Sequence, residues 1–291
     1  MSRGYQTLLT DNILSGSKLT DPLFRAVQES LQKNTFVCLR GIVDPEDVAQ
    51  VKEALKNHFR PEADQKLDPA RPDLIRQNYQ RLFVGGTGKR NVKGPRFARP
   101  PACGLSPRAG TAPETPGMPG ASSAVIRPRF LRTFYNPLWD RDIYGCHGIF
   151  KIMIDLRNRL YGLAPGFAAE KPEQGLWTAA RIHHYPRGGG FMAPHCDDVL
   201  SNVSAKAGLN SYYQVILLMS KKGLDYEEGG GYLEINGTRI FFEDTYEPGD
   251  LVIYDGRTVH GVEEIDSQET LDLRSLAGRL AAFVSLYRLQ G

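Results

Sequence analysis

The chain has no apolar run approaching the roughly 20 residues of a membrane span. Its opening stretch, Met1-Ser-Arg-Gly-Tyr-Gln-Thr, lacks the apolar core of a secretory signal. Both absences predict an intracellular, cytoplasmic protein with no membrane partner. Cysteine is scarce: Cys38, Cys103, Cys146 and Cys196 show no C-x-x-C spacing and make no zinc ligand set. In a reducing compartment they are expected to be free thiols, some simply buried. Neither sign of charge is in excess, since 36 Lys and Arg face 33 Asp and Glu for a net +3. The basic residues are scattered, so no nucleic-acid surface is expected. What the chain does have is bulk, 291 residues of which 41% are hydrophobic. That is enough for one large core, and 1–291 reads as a single domain.

The tripeptide His195-Cys196-Asp197 carries the most chemistry. Strand side chains alternate between faces, so His195 and Asp197 point one way and Cys196 the other. Extended chain thus offers two metal ligands close together. A second imidazole, His260 in Leu251-Val-Ile-Tyr-Asp-Gly-Arg-Thr-Val-His260-Gly, would complete a two-His-one-carboxylate face. Such a set leaves coordination positions open and is diagnostic of non-haem Fe(II) oxygenase sites.

The surroundings read as an all-β core. Ala180-Arg-Ile-His-His-Tyr185-Pro186 is strand-like and is followed by the turn Arg-Gly188-Gly189-Gly190, then Phe191-Met-Ala-Pro194 and the ligand pair. Downstream lie Tyr212 to Ser220, Gly229 to Ile235, Gly249 to Tyr254, the His260 segment and Gly278 to Tyr287. These are short β-rich runs divided by Gly, Asn, Pro and Asp, the pattern of a sandwich or jelly roll. The ordered set over about residues 175 to 291 resembles the Fe(II)/2-oxoglutarate-dependent dioxygenase superfamily, and within it the prolyl-hydroxylase-like branch. The resemblance implies an α+β fold, a double-stranded β-helix (jelly roll) core with supporting N-terminal helices. It also implies Fe(II) on His195, Asp197 and His260, with 2-oxoglutarate and O2 as cosubstrates and ascorbate as reductant in vitro.

The far carboxylate of 2-oxoglutarate needs a cation, and a guanidinium fork suits it. Two arginines follow His260. Arg279 opens the last apolar strand, where the resembled families place their basic residue, whereas Arg274 sits in a connecting segment, so Arg279 is the expected anchor. Tyr185 matches a cosubstrate-contacting tyrosine of the same branch; a core tyrosine is the competing reading. Tyr213 or Gln214 could also reach the carboxylate, but alternation allows only one of them to face inward. His183 and His184 lie on opposite faces and are read as packed or surface residues, while His58 and His147 receive no role. Asp198 is expected to bind backbone or water beside the ligands. Phe191 and Met192 either line the mouth of the site or pack.

The rest of the chain reads as support. Thr20-Asp-Pro22 opens a helix with Leu23, Val27 and Leu31 on one face. Thr35 to Arg40 is a strand, and Asp44 caps a second helix that buries Val48, Val51 and Leu55. These belong to a segment 1–97 of helical support with the first strand. Between 98 and 124, six prolines and four glycines fall within 27 residues, which reads as a long loop or lid. The stretch 125–174 is expected to be helical, with a helix from Ile149 to Tyr161, ahead of a jelly-roll core at 175–291.

The leading expectation is a dioxygenase hydroxylating, or otherwise oxidising, a small molecule such as an amino acid derivative or secondary metabolite, in a biosynthetic role. The same chemistry on a protein side chain, of prolyl type, is the alternative. A non-enzymatic cupin-like binding protein has no use for an open metal face beside a buried cation. Asp197 also argues against halogenation, because related halogenases carry a small residue there. Substrate, reaction outcome and oligomeric state are not legible in the sequence.

Overall fold

The computed structural model describes residues 3–61, 79–83, 128–197 and 212–288. Four helices are described: α1 (Arg3–Thr10), α2 (Asp21–Asn34), α3 (Pro45–His58) and α4 (His147–Leu160). The strands in the first half are β1 (Ile13–Ser15), β2 (Phe36–Arg40), β3 (Tyr79–Phe83), β4 (Pro128–Arg129) and β5 (Leu131–Tyr135). Then come β6 (Leu176–Pro186), β7 (Phe191–His195), β8 (Tyr213–Leu218), β9 (Gly230–Ile235), β10 (Thr238–Phe241), β11 (Leu251–Asp255), β12 (His260–Glu263) and β13 (Gly278–Arg288).

Local chemistry explains the helix starts. The Thr20 side chain accepts a hydrogen bond from Leu23 N, and that of Asp44 from Glu46 N at 2.9 Å. A proline near the first turn of α2 and of α3 gives up no helical bond. Two shorter elements, α1 and β1, carry too little periodic pattern to stand out in sequence. The stretch 125–174 departs from its all-helical expectation, because Leu131–Tyr135 forms a strand between β3 and β6. Its alternate residues Leu131, Thr133 and Tyr135 line an internal cavity, which is the reason a sheet position suits them. The Pro- and Gly-rich segment 98–124 lies outside the described residues, as do Asp198 and Cys103.

Two sheets form. The larger has the order β1-β2-β11-β8-β13-β6-β5-β3, the smaller β10-β9-β12-β7-β4. From β6 onward the chain alternates between them: β6, β8, β11 and β13 in the larger, β7, β9, β10 and β12 in the smaller. That alternation is the double-stranded β-helix, with helices added on one side.

Side-chain alternation divides the core in two. Val37, Leu39, Val215, Leu217, Leu251, Ile253, Ile182, Leu280, Ala282 and Val284 face outward from the larger sheet. They pack under α2, α3 and α4 against Phe24, Val27, Val48, Val51, Leu55, Met153 and Ile154. The opposite faces of the same strands present Phe36, Cys38, Ile216, Leu218, Val252, Tyr254, Ala281 and Phe283 toward the smaller sheet. Helices thus seal one face, and the space between the sheets is left for a site. Cys38 and Cys146 are buried free thiols. Cys196 is disulfide-bonded, which corrects the free-thiol expectation there; beyond the end of β7 its partly exposed side chain is accessible to a bonding partner.

Candidate functional site

The cavity between the sheets has a volume of about 290 Å³ and is lined from both. The smaller sheet contributes His195 and Met192 from β7 and His260 and Val262 from β12. His195 and His260 are direct partners across the β7–β12 ladder, with ring centres 4.2 Å apart. Strand β7 ends at His195, and Asp197 lies just beyond it, its backbone N–H donating to Gly256 O at 2.9 Å. One ligand atom from each of His195, Asp197 and His260 lies within 4.8 Å of the others.

Three features fit this trio to a metal ion. Each histidine donates its Nδ1–H to the carbonyl two residues earlier in the chain, His195 to Ala193 at 2.7 Å and His260 to Thr258 at 2.8 Å. A carbonyl can only accept, so each Nδ1 carries a proton and Nε2 is the nitrogen presented to Asp197; such fixing of the ring is typical of ligating imidazoles. The Nε2 atoms stand 3.8 Å (His195) and 3.5 Å (His260) from Asp197 carboxylate oxygens. Two ligands each about 2.1 Å from one ion are separated by about 3 Å at a right angle and about 4.2 Å when opposed, so these spacings fall inside the window. Finally, burial and the neighbouring His260 push His195 down to about 4, so its ring is neutral at ordinary pH and ready to ligate.

The larger sheet supplies the facing wall. Arg279, Phe283 and Tyr287 project from β13, and Arg181, His183 and Tyr185 from β6. Arg279 is 1% exposed. Its Nε donates to Glu243 Oε1 at 2.6 Å, its Nη2 lies 2.6 Å from the same oxygen, and its Nη1 is buried without a partner. The Tyr185 ring lies beneath the guanidinium, 5.3 Å away. Arg274, by contrast, is exposed. Glu243, on a short helical turn at Phe242–Asp244, also accepts from the Tyr226 hydroxyl and from Gly231 N at 3.0 Å. Gly231 allows this close approach: a Cβ there would stand 2.4 Å from Phe242 and 2.8 Å from Arg279 Nη2.

Of the residues singled out in sequence, His195, Asp197, His260, Arg279, Tyr185 and Gln214 meet in this cavity. Gln214 has a different partner from the one expected. Its Nε2 donates to Asp197 Oδ2 at 2.6 Å, so it braces the carboxylate ligand and does not reach toward Arg279. Tyr213 is turned away into the helix-side core, because Val215 and Leu217 fix that face of β8. His183 packs as expected, its ring 4.4 Å from that of Phe283, and it also lines the cavity, on the face of β6 that carries Tyr185. His184 points to the other face, where Nε2 bonds Ala277 O at 3.1 Å. Met192 lines the cavity. Phe191, off that lining, has the Arg129 guanidinium 5.2 Å from its ring. Sequence reasoning missed Glu243 and Arg181. Period-two spacing from Tyr185 is a signal that would have found Arg181; Glu243 has none, because its partner is 36 residues away.

No family model matches this chain, and no curated protein does. Solved structures do. One is a prolyl hydroxylase from Trichoplax adhaerens in complex with a hypoxia inducible factor oxygen degradation domain peptide fragment, 14% identical with a TM-score of 0.48 over 99% of this chain and 94% of that one. A second is an oxidoreductase of the 2OG-Fe(II) oxygenase family from Burkholderia pseudomallei, at 10% identity and TM-score 0.44, covering 94% and 95%. A third is a Pseudomonas putida prolyl-4-hydroxylase, at 14% identity and TM-score 0.43, covering 92% and 100%. To these structures the chain is similar across most of its length.

Proposed function

We propose that the protein is an Fe(II)- and 2-oxoglutarate-dependent dioxygenase that oxidises a small molecule. One observation carries the reading. Ligand atoms of His195, Asp197 and His260 share a cavity with a buried arginine whose Nη1 has no partner among the described residues. A structural metal site has no need of the arginine, and a structural ion pair of Arg279 with Glu243 has no need of a spare N–H. When bound, iron and 2-oxoglutarate supply oxidation by O2, with release of succinate and CO2.

The chain's own residues do the positioning. His195, Asp197 and His260 hold the ion from one side and leave positions open. Gln214 fixes the Asp197 carboxylate. Arg279, oriented by Glu243 and Tyr226, offers Nη1 to the far carboxylate of the cosubstrate, and Tyr185 packs against its guanidinium. Ile216, Phe283 and Val262 add an apolar part of the wall that limits water. A cavity of about 290 Å³ sits at the small end of ligand pockets, which span about 300–1,000 Å³, and this favours a small molecule as the oxidised partner.

The test supplies Fe(II), ascorbate, 2-oxoglutarate and oxygen and follows succinate. Slow turnover by the protein alone, faster with a substrate that gains one oxygen, is expected. Replacing His195, Asp197 or His260 with Ala should abolish both turnover and iron binding. His260→Ala that binds iron as tightly as the parent would remove that ligand from the set. Oxidation of a prolyl peptide and of no small molecule would move the reading to a protein side chain. Folded, metal-loaded protein that neither binds nor consumes 2-oxoglutarate would leave a binding protein.

A further inference from the structure

Arg181 is the charge in the cavity that the proposed reaction leaves unused. Its side chain is enclosed, at 5% exposure, on the cavity wall. Its hydrogen-bond partners among the described residues are all neutral, and Asp197, whose charge also bears on it, is engaged by Gln214. Nε donates to His183 Nε2 at 3.0 Å, Nη1 to Ala179 O at 2.8 Å and Nη2 to Ser285 Oγ at 3.1 Å, and the guanidinium lies over Phe283 and Tyr287. The other deeply buried arginines are accounted for: Arg132, off the cavity, donates to Arg60 O and Pro61 O. Arg279 has Glu243. Arg157, off the cavity, directs its guanidinium at Asn158, Thr178, Val284 and Phe167 in five hydrogen bonds, as many as it has N–H groups. Arg181 uses only three of its five and holds a net charge in a place where water is scarce, which is costly unless an anion joins it.

A second donor stands beside it. Because a guanidinium cannot accept, the Arg181 contact fixes His183 Nε2 as the acceptor and puts the ring proton on Nδ1. That Nδ1 is shielded from solvent and has no partner, and His183 lines the same cavity. Two unused guanidinium N–H groups suit a single carboxylate, with its two oxygens and one negative charge, and the His183 Nδ1–H, on the side of the ring away from Arg181, is left for a second acceptor of the same ligand. A phosphate dianion would exceed the charge available.

The cosubstrate does not fill this place. Strand register pairs Arg279 with Tyr185 and Phe283 with Arg181, so the two arginines stand four residues apart along the β6–β13 pair, about 13 Å at strand rise. 2-Oxoglutarate has two carboxylates, one for the metal and one for Arg279, and none is left for Arg181.

Building on the dioxygenase reading above, we propose that Arg181 and His183 anchor the substrate, and that the substrate is a small molecule with a free carboxylate. The test uses protein loaded with Mn(II) and 2-oxoglutarate without oxygen, so that nothing turns over. It is titrated with free amino acids and short carboxylic acids, each paired with its primary amide. At least one acid should bind ten-fold or more tightly than its amide. Arg181→Gln should erase that preference, and Arg181→Lys should keep it in weakened form. Titration of 2-oxoglutarate alone checks that each variant is folded, and its affinity should change less than about three-fold in Arg181→Gln, since each ten-fold is 1.4 kcal/mol. No acid preference in the parent, a preference that survives Arg181→Gln, or loss of 2-oxoglutarate binding in that variant would each overturn the proposal. Acid preference in a parent that does not bind 2-oxoglutarate would uphold the anchor and sink the cosubstrate reading instead.

Discussion

At the scale of single residues, the Arg279–Glu243 pair shows how a charge can be both structural and available. Both side chains are buried, at 1% and 6% exposure, so removing one strands the other. Glu243→Ala should therefore cost about 3–5 kcal/mol, read as a lower denaturant midpoint. Arg279→Ala carries the same penalty, which would obscure its effect on ligand. The double variant Glu243→Gln/Arg279→Met removes both charges at similar volume. It should recover most of the stability while 2-oxoglutarate binding, measured by calorimetry, stays lost. Arg274→Ala, at an exposed position, should leave that binding as in the parent. Recovered binding in the double variant, or a larger loss at Arg274, would take the anchor away from Arg279.

At the scale of elements, the turn from β6 to β7 decides whether His195 arrives opposite His260. Gly188 sits at φ +80, where a side chain is strained, and its N–H donates to Ile265 O at 3.0 Å. A Cβ on Gly188 would stand 2.5 Å from Leu271 N, so backbone would have to move. Gly145, ahead of α4, has a similar φ of +68 and open space around it. Gly145→Ala should thus cost about 1–2 kcal/mol from strain alone. Gly188→Ala should cost more, and it should also weaken metal binding, because β7 carries the ligand. Thermal melts and a metal titration of the two variants separate these effects; equal melting temperatures and unaltered metal affinity would show that the turn does not set the site.

For the whole molecule, burial of neutral imidazoles ties stability to pH. Burial lowers His184 to about 4, and burial with Arg181 and Arg279 lowers His183 well below its usual range. The unfolded chain protonates histidine near 6.5, so between about 6.5 and about 4 it binds protons that the folded protein refuses. Stability then falls as pH drops through that window, and the His184 share levels off below about 4, where both states are charged. For His184 alone the loss is about 3 kcal/mol, at 1.36 kcal/mol per unit. His184→Gln keeps a donor for Ala277 O and cannot titrate, so urea melts of metal-free protein across this range should show a shallower slope for the variant. Unchanged slopes would place the pH dependence on other groups.

Much of the molecule is written locally. Thr20 and Asp44 cap their helices through bonds within three residues, and the period-two pattern around Val215, Val252 and Leu280 is visible without a fold. The spacing His195-Cys196-Asp197 and a later lone histidine mark the trio in the sequence, while Arg279 is singled out there through the family resemblance, as an arginine opening the last strand. Other features depend on residues far apart in the chain. Whether Tyr213 or Gln214 faces inward follows from which side α4 covers, and Gln214's partner, Asp197, lies across the chain reversal. Glu243 reaches Arg279 over 36 positions, and no local pattern marks it. Arg181 looks like any strand arginine until the sheets close over it and no carboxylate arrives. Periodicity and capping act over a few bonds and survive in the linear sequence; desolvation and charge pairing exist only once the two sheets exclude water, so the tertiary structure alone decided them.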